Sequence, residues 1–207
     1  AAAFRGDLTK TWRAQNPNTE PATELLKRIR AERRRQFTEA YPKKKYVEPE
    51  PVDTKGLPEL PDGWCWASID ELLFGITAGQ SPKAQGRPAG PDEFGVLKVS
   101  AVSWGEFKPE ENKTLNGPLP DGVATVSKDD LLISRANTVE LVGAVVLVRN
   151  DHSNLMLSDK TLRLDVVPSF DKEYLLQALR TSPVRAVFED QATGTSNSMR
   201  NLSQPKL

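Results

Sequence analysis

Thr161-Leu162-Arg163-Leu164-Asp165-Val166-Val167 is the stretch on which the fold class turns. Leu162, Leu164 and Val166 alternate with Arg163 and Asp165, the period-two pattern of a strand with one buried face. Further strand-like runs precede it at 142–148 (VGAVVLV), 130–135 (DLLISR) and 95–102 (GVLKVSAV). Two stretches of helical spacing follow it, at 171–180 and 183–189. Strands at irregular intervals, long loops and terminal helices predict an α+β fold with a mixed or antiparallel β-sheet and flanking helices, not a doubly wound parallel sheet.

Upstream, Gly63-Trp64-Cys65-Trp66 opens the domain, its tryptophans spaced as a strand would set them on one face. Ser68-Ile69-Asp70-Glu71-Leu72-Leu73 predicts a short capped helix. Between 43 and 61, KKKYVEPEPVDTKGLPELP combines prolines and charge with few apolar residues, which predicts an extended linker. Before the linker, Asn18-Thr19-Glu20-Pro21 supplies the start of a helix over 22–41. Ala22, Leu25, Leu26, Ile29, Phe37 and Ala40 form its apolar stripe, and Lys27, Arg28, Arg30, Arg34 and Arg35 face the other way. That basic face suits phosphates or plain solvent. Ala1-Ala2-Ala3-Phe4 reads as the end of a helix stopped at Gly6, so the chain is expected to begin inside a longer element. The expected division is 1–42 (end of a spacer helix plus the amphipathic helix), 43–59 (linker) and 60–207 (the main domain).

Composition excludes several chemistries. One cysteine, Cys65, rules out an internal disulfide and suits a reducing cytoplasm. With a single His (His152), no Cys/His zinc site can be assembled. His152 lies in VRNDHSN, read as a polar turn, so a hydrolase built on it is not expected. No apolar run nears the roughly 20 residues that span a bilayer, so no membrane partner is expected. Net charge is zero but uneven: residues 1–60 hold 13 Lys+Arg against 9 Asp+Glu, residues 61–207 hold 15 against 19. A DNA reader with that second balance must gather its cations locally and borrow phosphate grip from a partner.

No G-x-G-x-x-G and no Walker A sequence occurs, and the glycines at 79, 86, 90 and 95 are too scattered to cradle a phosphate. Acidic pairs such as Asp129-Asp130 read as exposed turns. No cofactor is expected on this chain. A family resemblance does emerge, carried by five motifs in order. Ala3-Phe4-Arg5-Gly6-Asp7-Leu8-Thr9 and Glu24-Leu25-Leu26-Lys27-Arg28-Ile29-Arg30-Ala31-Glu32-Arg33 come first. Leu60-Pro61-Asp62-Gly63-Trp64-Cys65-Trp66 with Gly79-Gln80-Ser81-Pro82 is next. Asp130-Leu131-Leu132-Ile133-Ser134-Arg135-Ala136-Asn137 and the segment from Gly194-Thr195-Ser196-Asn197 through Ser198-Met199-Arg200-Asn201-Leu202-Ser203 complete the set. Together they resemble type I restriction-modification specificity subunits over nearly the whole chain.

The resemblance implies a target-recognition domain, the second of two, preceded by part of the central helical region. It implies a non-catalytic subunit that reads half of an interrupted site in double-stranded DNA. The partners implied are methyltransferase subunits using S-adenosylmethionine and a motor and restriction subunit using ATP and Mg. The first recognition domain and most of both long helices fall outside the resemblance.

Base reading needs side chains with paired donors and acceptors, such as Arg for guanine and Asn or Gln for adenine, displayed on loops. Three loops qualify. The first carries Gln80, Ser81, Lys83, Gln85 and Arg87; as a plain connection it would need no ligand. The second is Arg135, Asn137 and Thr138 at a strand end, which could instead satisfy turn backbone. The third is Thr195, Ser196, Asn197 and Arg200, whose small hydroxyls suit phosphates or an ordered turn. Lys160 is expected on the same surface. Trp64, Trp66, Trp104 and Phe107 are read as core rather than stacking platforms. Two other classes stay open: an assembly scaffold that does not read DNA, and the recognition segment of a fused type II restriction-methyltransferase.

Overall fold

The structure is a computed structural model and describes Ala2, residues 5–196 and residues 199–204, without the side chain of Thr195. The chain forms two compact units, Ala1–Phe74 with Val167–Phe170, and Gly75–Val166 with Asp171–Leu207.

In the first unit, Gly6 adopts a left-handed φ of 74°, and the Asp7 N–H bonds the Ala2 carbonyl at 3.1 Å. A 3-10 turn (Asp7–Thr9) then leads into α1 (Lys10–Gln15), which periodicity did not reveal. The expected long helix is α2 (Ala22–Ala40), with Leu26 and Ile29 buried. Its cations are paired, and all but Arg33 stay solvent-exposed. Arg28 pairs with Glu20, Lys27 with Glu24, Arg30 with Glu71, Arg33 with Asp70, Arg34 with Glu48 and Arg35 with Glu39. Glu71 is 1% exposed and takes Arg30 Nε at 2.9 Å and the Ser68 N–H at 2.9 Å. The Glu71 N–H returns to Ser68 Oγ, completing a capping box around a 3-10 turn, Asp70–Leu72, where a short helix was expected. Trp64 and Trp66 lie on irregular backbone, not a strand, and Trp66 is 38% exposed, which corrects its reading as core.

The strands, in chain order, are β1 (Leu73–Ala78), β2 (Gly95–Leu97), β3 (Asn112–Thr114), β4 (Thr125–Val126), β5 (Leu131–Ser134), β6 (Ala136–Asn137), β7 (Val145–Leu147), β8 (His152–Met156), β9 (Thr161–Val166), β10 (Thr193–Ser196) and β11 (Met199–Asn201). They build sheets ordered β1-β9-β5-β7, β3-β2-β8-β4 and β10-β11-β6. Every described pairing is antiparallel except β2 with β8, so the fold is α+β with antiparallel and mixed sheets.

The core of the second unit sits between sheets. Leu97, Val126, Leu132, Val146, Val148, Leu155 and Leu157 form its main cluster, with Phe107 packed at the edge. Val96 and Met156 turn to a second cluster with Leu115. Strands buried on both faces lose the alternating signal, which is why LLIS and VVL read as continuous apolar runs. The predicted strand at 95–102 stops at Leu97, because Val99–Ala101 curls into a 3-10 turn. The polar run around His152 is β8, not a turn, and His152 lies half-buried with its ring 5.5 Å from that of Phe107. Asp130 is also more enclosed than expected, accepting from the Ser127 N–H at 2.9 Å; desolvation raises its pKa.

After β9 come α3 (Lys172–Leu179) and α4 (Ser182–Gln191). The Asp171 side chain caps α3 by accepting from the Tyr174 N–H, and Leu175, Leu176 and Leu179 are buried. Phe188 anchors α4 at 2% exposure.

Candidate nucleic-acid interface

The candidate surface forms where β5 ends. Antiparallel register sets Ile133 opposite Leu162 and Ser134 opposite Thr161. One step further, the Arg135 N–H bonds the Lys160 carbonyl at 3.0 Å. The Arg135 carbonyl turns elsewhere and accepts from the Leu202 N–H at 2.7 Å. Arg135 is thus a corner where backbone passes from one sheet to another. Beyond it β6 pairs with β11, placing Asn137 opposite Arg200.

The glycine loop arrives from the other side. Gly79 lies against the backbone of Leu157, where a Cβ would meet the Leu157 carbonyl oxygen at 2.1 Å. That approach lets the Gln80 N–H bond the same oxygen at 3.1 Å. Ser81 Oγ donates to the Asp159 carboxylate and accepts from the Asp159 N–H at 3.3 Å. Direct contacts therefore join the segments of Gln80 and Ser81, Lys160, Arg135, Asn137 and Arg200.

Within this group the side chains differ in what they leave available. Arg135 and Lys160 have no side-chain hydrogen bond or ion pair among the described residues, and both are half-buried. Asn137 is 7% exposed, its Oδ1 accepting from the Thr138 N–H at 2.9 Å and its Nδ2 donating to Ser134 Oγ at 3.4 Å. That leaves it occupied with local backbone. The Thr138 hydroxyl bonds the Glu140 carboxylate and is the main cause of that group's lowered pKa. Arg200 donates to the Gly194 carbonyl at 3.0 Å and to that of Ala192, tying down the β10–β11 hairpin.

Other predicted residues lie apart. Gln85 Nε2 donates to Asn116 Oδ1 at 3.1 Å, and its N–H bonds the Thr114 carbonyl beside β3. Arg87 grips Glu93 with both terminal nitrogens, at 2.5 and 2.6 Å. That bond, helped by the Gly90 N–H, holds the Glu93 carboxyl down at about 2. Lys83 is exposed, two residues beyond Ser81. Ser196 is exposed at the end of β10; the Thr195 side chain and Asn197 lie outside the described residues.

Several supporting contacts escaped sequence reasoning, including one by Trp104, which the sequence reads only as core. Trp104 Nε1 donates to the Glu140 carbonyl at 2.7 Å, with the Arg185 guanidinium 5.1 Å from the ring centroid. Arg185 also donates to the carbonyls of Val139 and Val142, and Arg180 to that of Val145 at 2.8 Å. These three side chains hold the loop that follows Asn137. Only the hydrogen-bond demand of a tight loop hints at them. A polar cavity of about 260 Å³ adjoins Gln80, lined by Thr77, Gly79, Val123, Ala124 and Arg163. Its arginine is engaged by Asp165 at 3.0 Å and Asp130 at 3.5 Å. No group of His, Cys, Asp and Glu among the described residues could hold a metal.

Fold and surface define a class: an α+β module that collects amides and cations at the meeting of strand ends. Sequence comparison identifies the family. The specificity subunit of the Escherichia coli type I restriction enzyme EcoEI is 36% identical over 197 residues, 94% of this chain and 33% of that protein. That of EcoAI, also from Escherichia coli, is 41% identical over 70 residues, 34% of this chain and 11% of that one. The chain belongs to the type I restriction enzyme specificity subunits, and spans about a third of the length of the first of these relatives. The solved HsdS subunit from Thermoanaerobacter tengcongensis aligns with 97% of this chain and 44% of its own at 16% identity and TM-score 0.45. No protein-family model matches the chain. No helix among the described residues is long and apolar enough to cross a membrane.

Proposed function

We propose that this chain is the DNA-reading part of a specificity subunit, that it selects one half of a bipartite double-stranded site and performs no chemistry. In this reading 60–207 is the recognition domain, 43–59 its linker and 1–42 the end of a spacer that docks partner subunits. A methyltransferase partner supplies S-adenosylmethionine and methylates an adenine in the site. A motor and restriction partner uses ATP and Mg to cleave unmodified DNA.

The convergence of the Gln80–Ser81, Arg135–Asn137, Lys160 and Arg200 segments supports this reading most. Donors on separate loops gathered at one place are what base and backbone contacts in a groove require. The acidic balance of residues 61–207 fits too, since the cations that matter are concentrated locally and partners supply further phosphate contacts. The scaffold alternative draws on a separate observation, the internal pairing of the α2 cations, which suits that helix for assembly rather than for tracking phosphates.

Exchanging residues 60–207 for the corresponding segment of another specificity subunit, then sequencing the methylome of a host carrying the intact system, tests the proposal. The half-site methylated should change with the segment. An unchanged methylated sequence would assign the chain to assembly alone.

A further inference from the structure

Building on the proposed DNA-reading role, we infer that Arg135 and Lys160 together seat the acceptor edge, O6 and N7, of a single guanine in the half-site. Their backbones are joined by the 3.0 Å N–H to carbonyl bond that carries the β5–β9 register one step past Ser134 and Thr161. Arg135 is the bend residue just past β5 and Lys160 the turn residue just before β9. The bond therefore brings their backbones together at the strand ends, close enough for two long side chains to share one acceptor group. Two cations held so near each other repel. The nearby carboxylate, Asp159, is engaged by the Ser81 hydroxyl and does not bond either cation. The pair is therefore arranged for an acceptor-rich partner from outside.

Phosphate oxygens and the guanine edge share that chemistry, and the backbone around Arg135 favours the base. Its N–H and its carbonyl are both bonded, to Lys160 and Leu202, and its neighbours Ser134 and Ala136 are 0% and 4% exposed. A guanidinium launched from a base fixed at both ends keeps the registration that bidentate base contact needs. Arg87 and Arg200 are already committed, to Glu93 and to the carbonyls of Ala192 and Gly194.

The test uses the specificity subunit containing this chain, assembled with its methyltransferase subunits. Competition binding at one fixed salt concentration would compare duplexes in which each base pair of the half-site is changed in turn, for wild type, Arg135→Gln and Lys160→Gln. The wild type should lose about 5- to 150-fold in affinity when one particular G·C pair is replaced. Both variants should lose that preference and keep the others. A duplex with 7-deazaguanine at that position should weaken binding by the wild type but not by Arg135→Gln. Two substitutions on different segments, each checked by near-ultraviolet circular dichroism, guard against a single misfolded variant. Uniform weakening of both variants across all duplexes, with the base preferences unchanged, would make the pair a phosphate contact and overturn the guanine assignment, leaving DNA reading intact. Absence of any half-site preference traceable to this chain would overturn that reading as well.

Discussion

Replacing Gly79 by alanine should unfasten the loop that brings Gln80 and Ser81 to the candidate surface. The new Cβ would lie 2.1 Å from the Leu157 carbonyl oxygen, 2.2 Å from its carbon and 2.6 Å from the Leu157 Cβ. Ordinary contact begins near 3.4 Å, so the two segments must part by more than 1 Å. The two nearest atoms are backbone and the third is a Cβ fixed to it, so no flexible side chain can yield. Overpacking of this kind costs roughly 1–3 kcal/mol. The bond from the Gln80 N–H to the Leu157 oxygen is lost as well, at about 1 kcal/mol. A total near 2–4 kcal/mol corresponds to a melting temperature lower by roughly 4–15 °C for a protein of this size. Trp104 is the one tryptophan in the Gly75–Leu207 unit, so fluorine NMR of fluorotryptophan-labelled protein reports that unit's melting separately. Ser81→Ala, which removes only the contacts to Asp159, should melt within about 2–4 °C of wild type, a cost of no more than about 1 kcal/mol. A Gly79→Ala midpoint indistinguishable from wild type would refute the close approach and, with it, the fastening of the loop.

Three further outcomes are expected. Asn137→Ala should cost about 1–2 kcal/mol in urea denaturation, because the Thr138 N–H loses its acceptor, while base preference stays with Arg135; a change of preference without loss of stability would make Asn137 a reader. Glu71→Ala should destabilise the first unit by about 2–3 kcal/mol, below the range for a fully buried pair because Arg30 keeps 44% exposure and can regain water; circular dichroism melts unchanged from wild type would contradict it. The Glu93 carboxyl should titrate by carbon NMR near 2, against an ordinary 4.5. With the folded pKa depressed, its contribution is complete above pH 4.5 and fades as pH falls toward 2. Arg87→Ala should move the midpoint up towards 4.5, and an unmoved midpoint would deny the pair its role.

The sequence carried the helices and the central strands well. Apolar spacing and proline placed α2, α3 and α4 within two residues of their observed ends, and apolar or alternating runs marked β5, β7 and β9. Short polar strands such as NKT (β3) and HSNLM (β8) were illegible, because neighbouring strands rather than side-chain pattern hold them in place. The same limit applies to the candidate surface. Residue type picked out Arg87 and Asn137 as readers, but their occupation by Glu93 and by the Thr138 N–H arises from contacts that composition does not encode. The meeting of Arg135 and Lys160 past the ends of β5 and β9 follows from register, which depends on pairing between segments 25 residues apart in sequence.

Hydrogen exchange of the assembled complex, with and without a duplex bearing its site, tests the central claim most directly. Slowed exchange concentrated at 79–83, 135–138, 158–160 and 199–202, with α2 unaffected by DNA, is the predicted pattern. Protection confined to α2 and the linker, with those four segments exchanging as in the DNA-free complex, would contradict it.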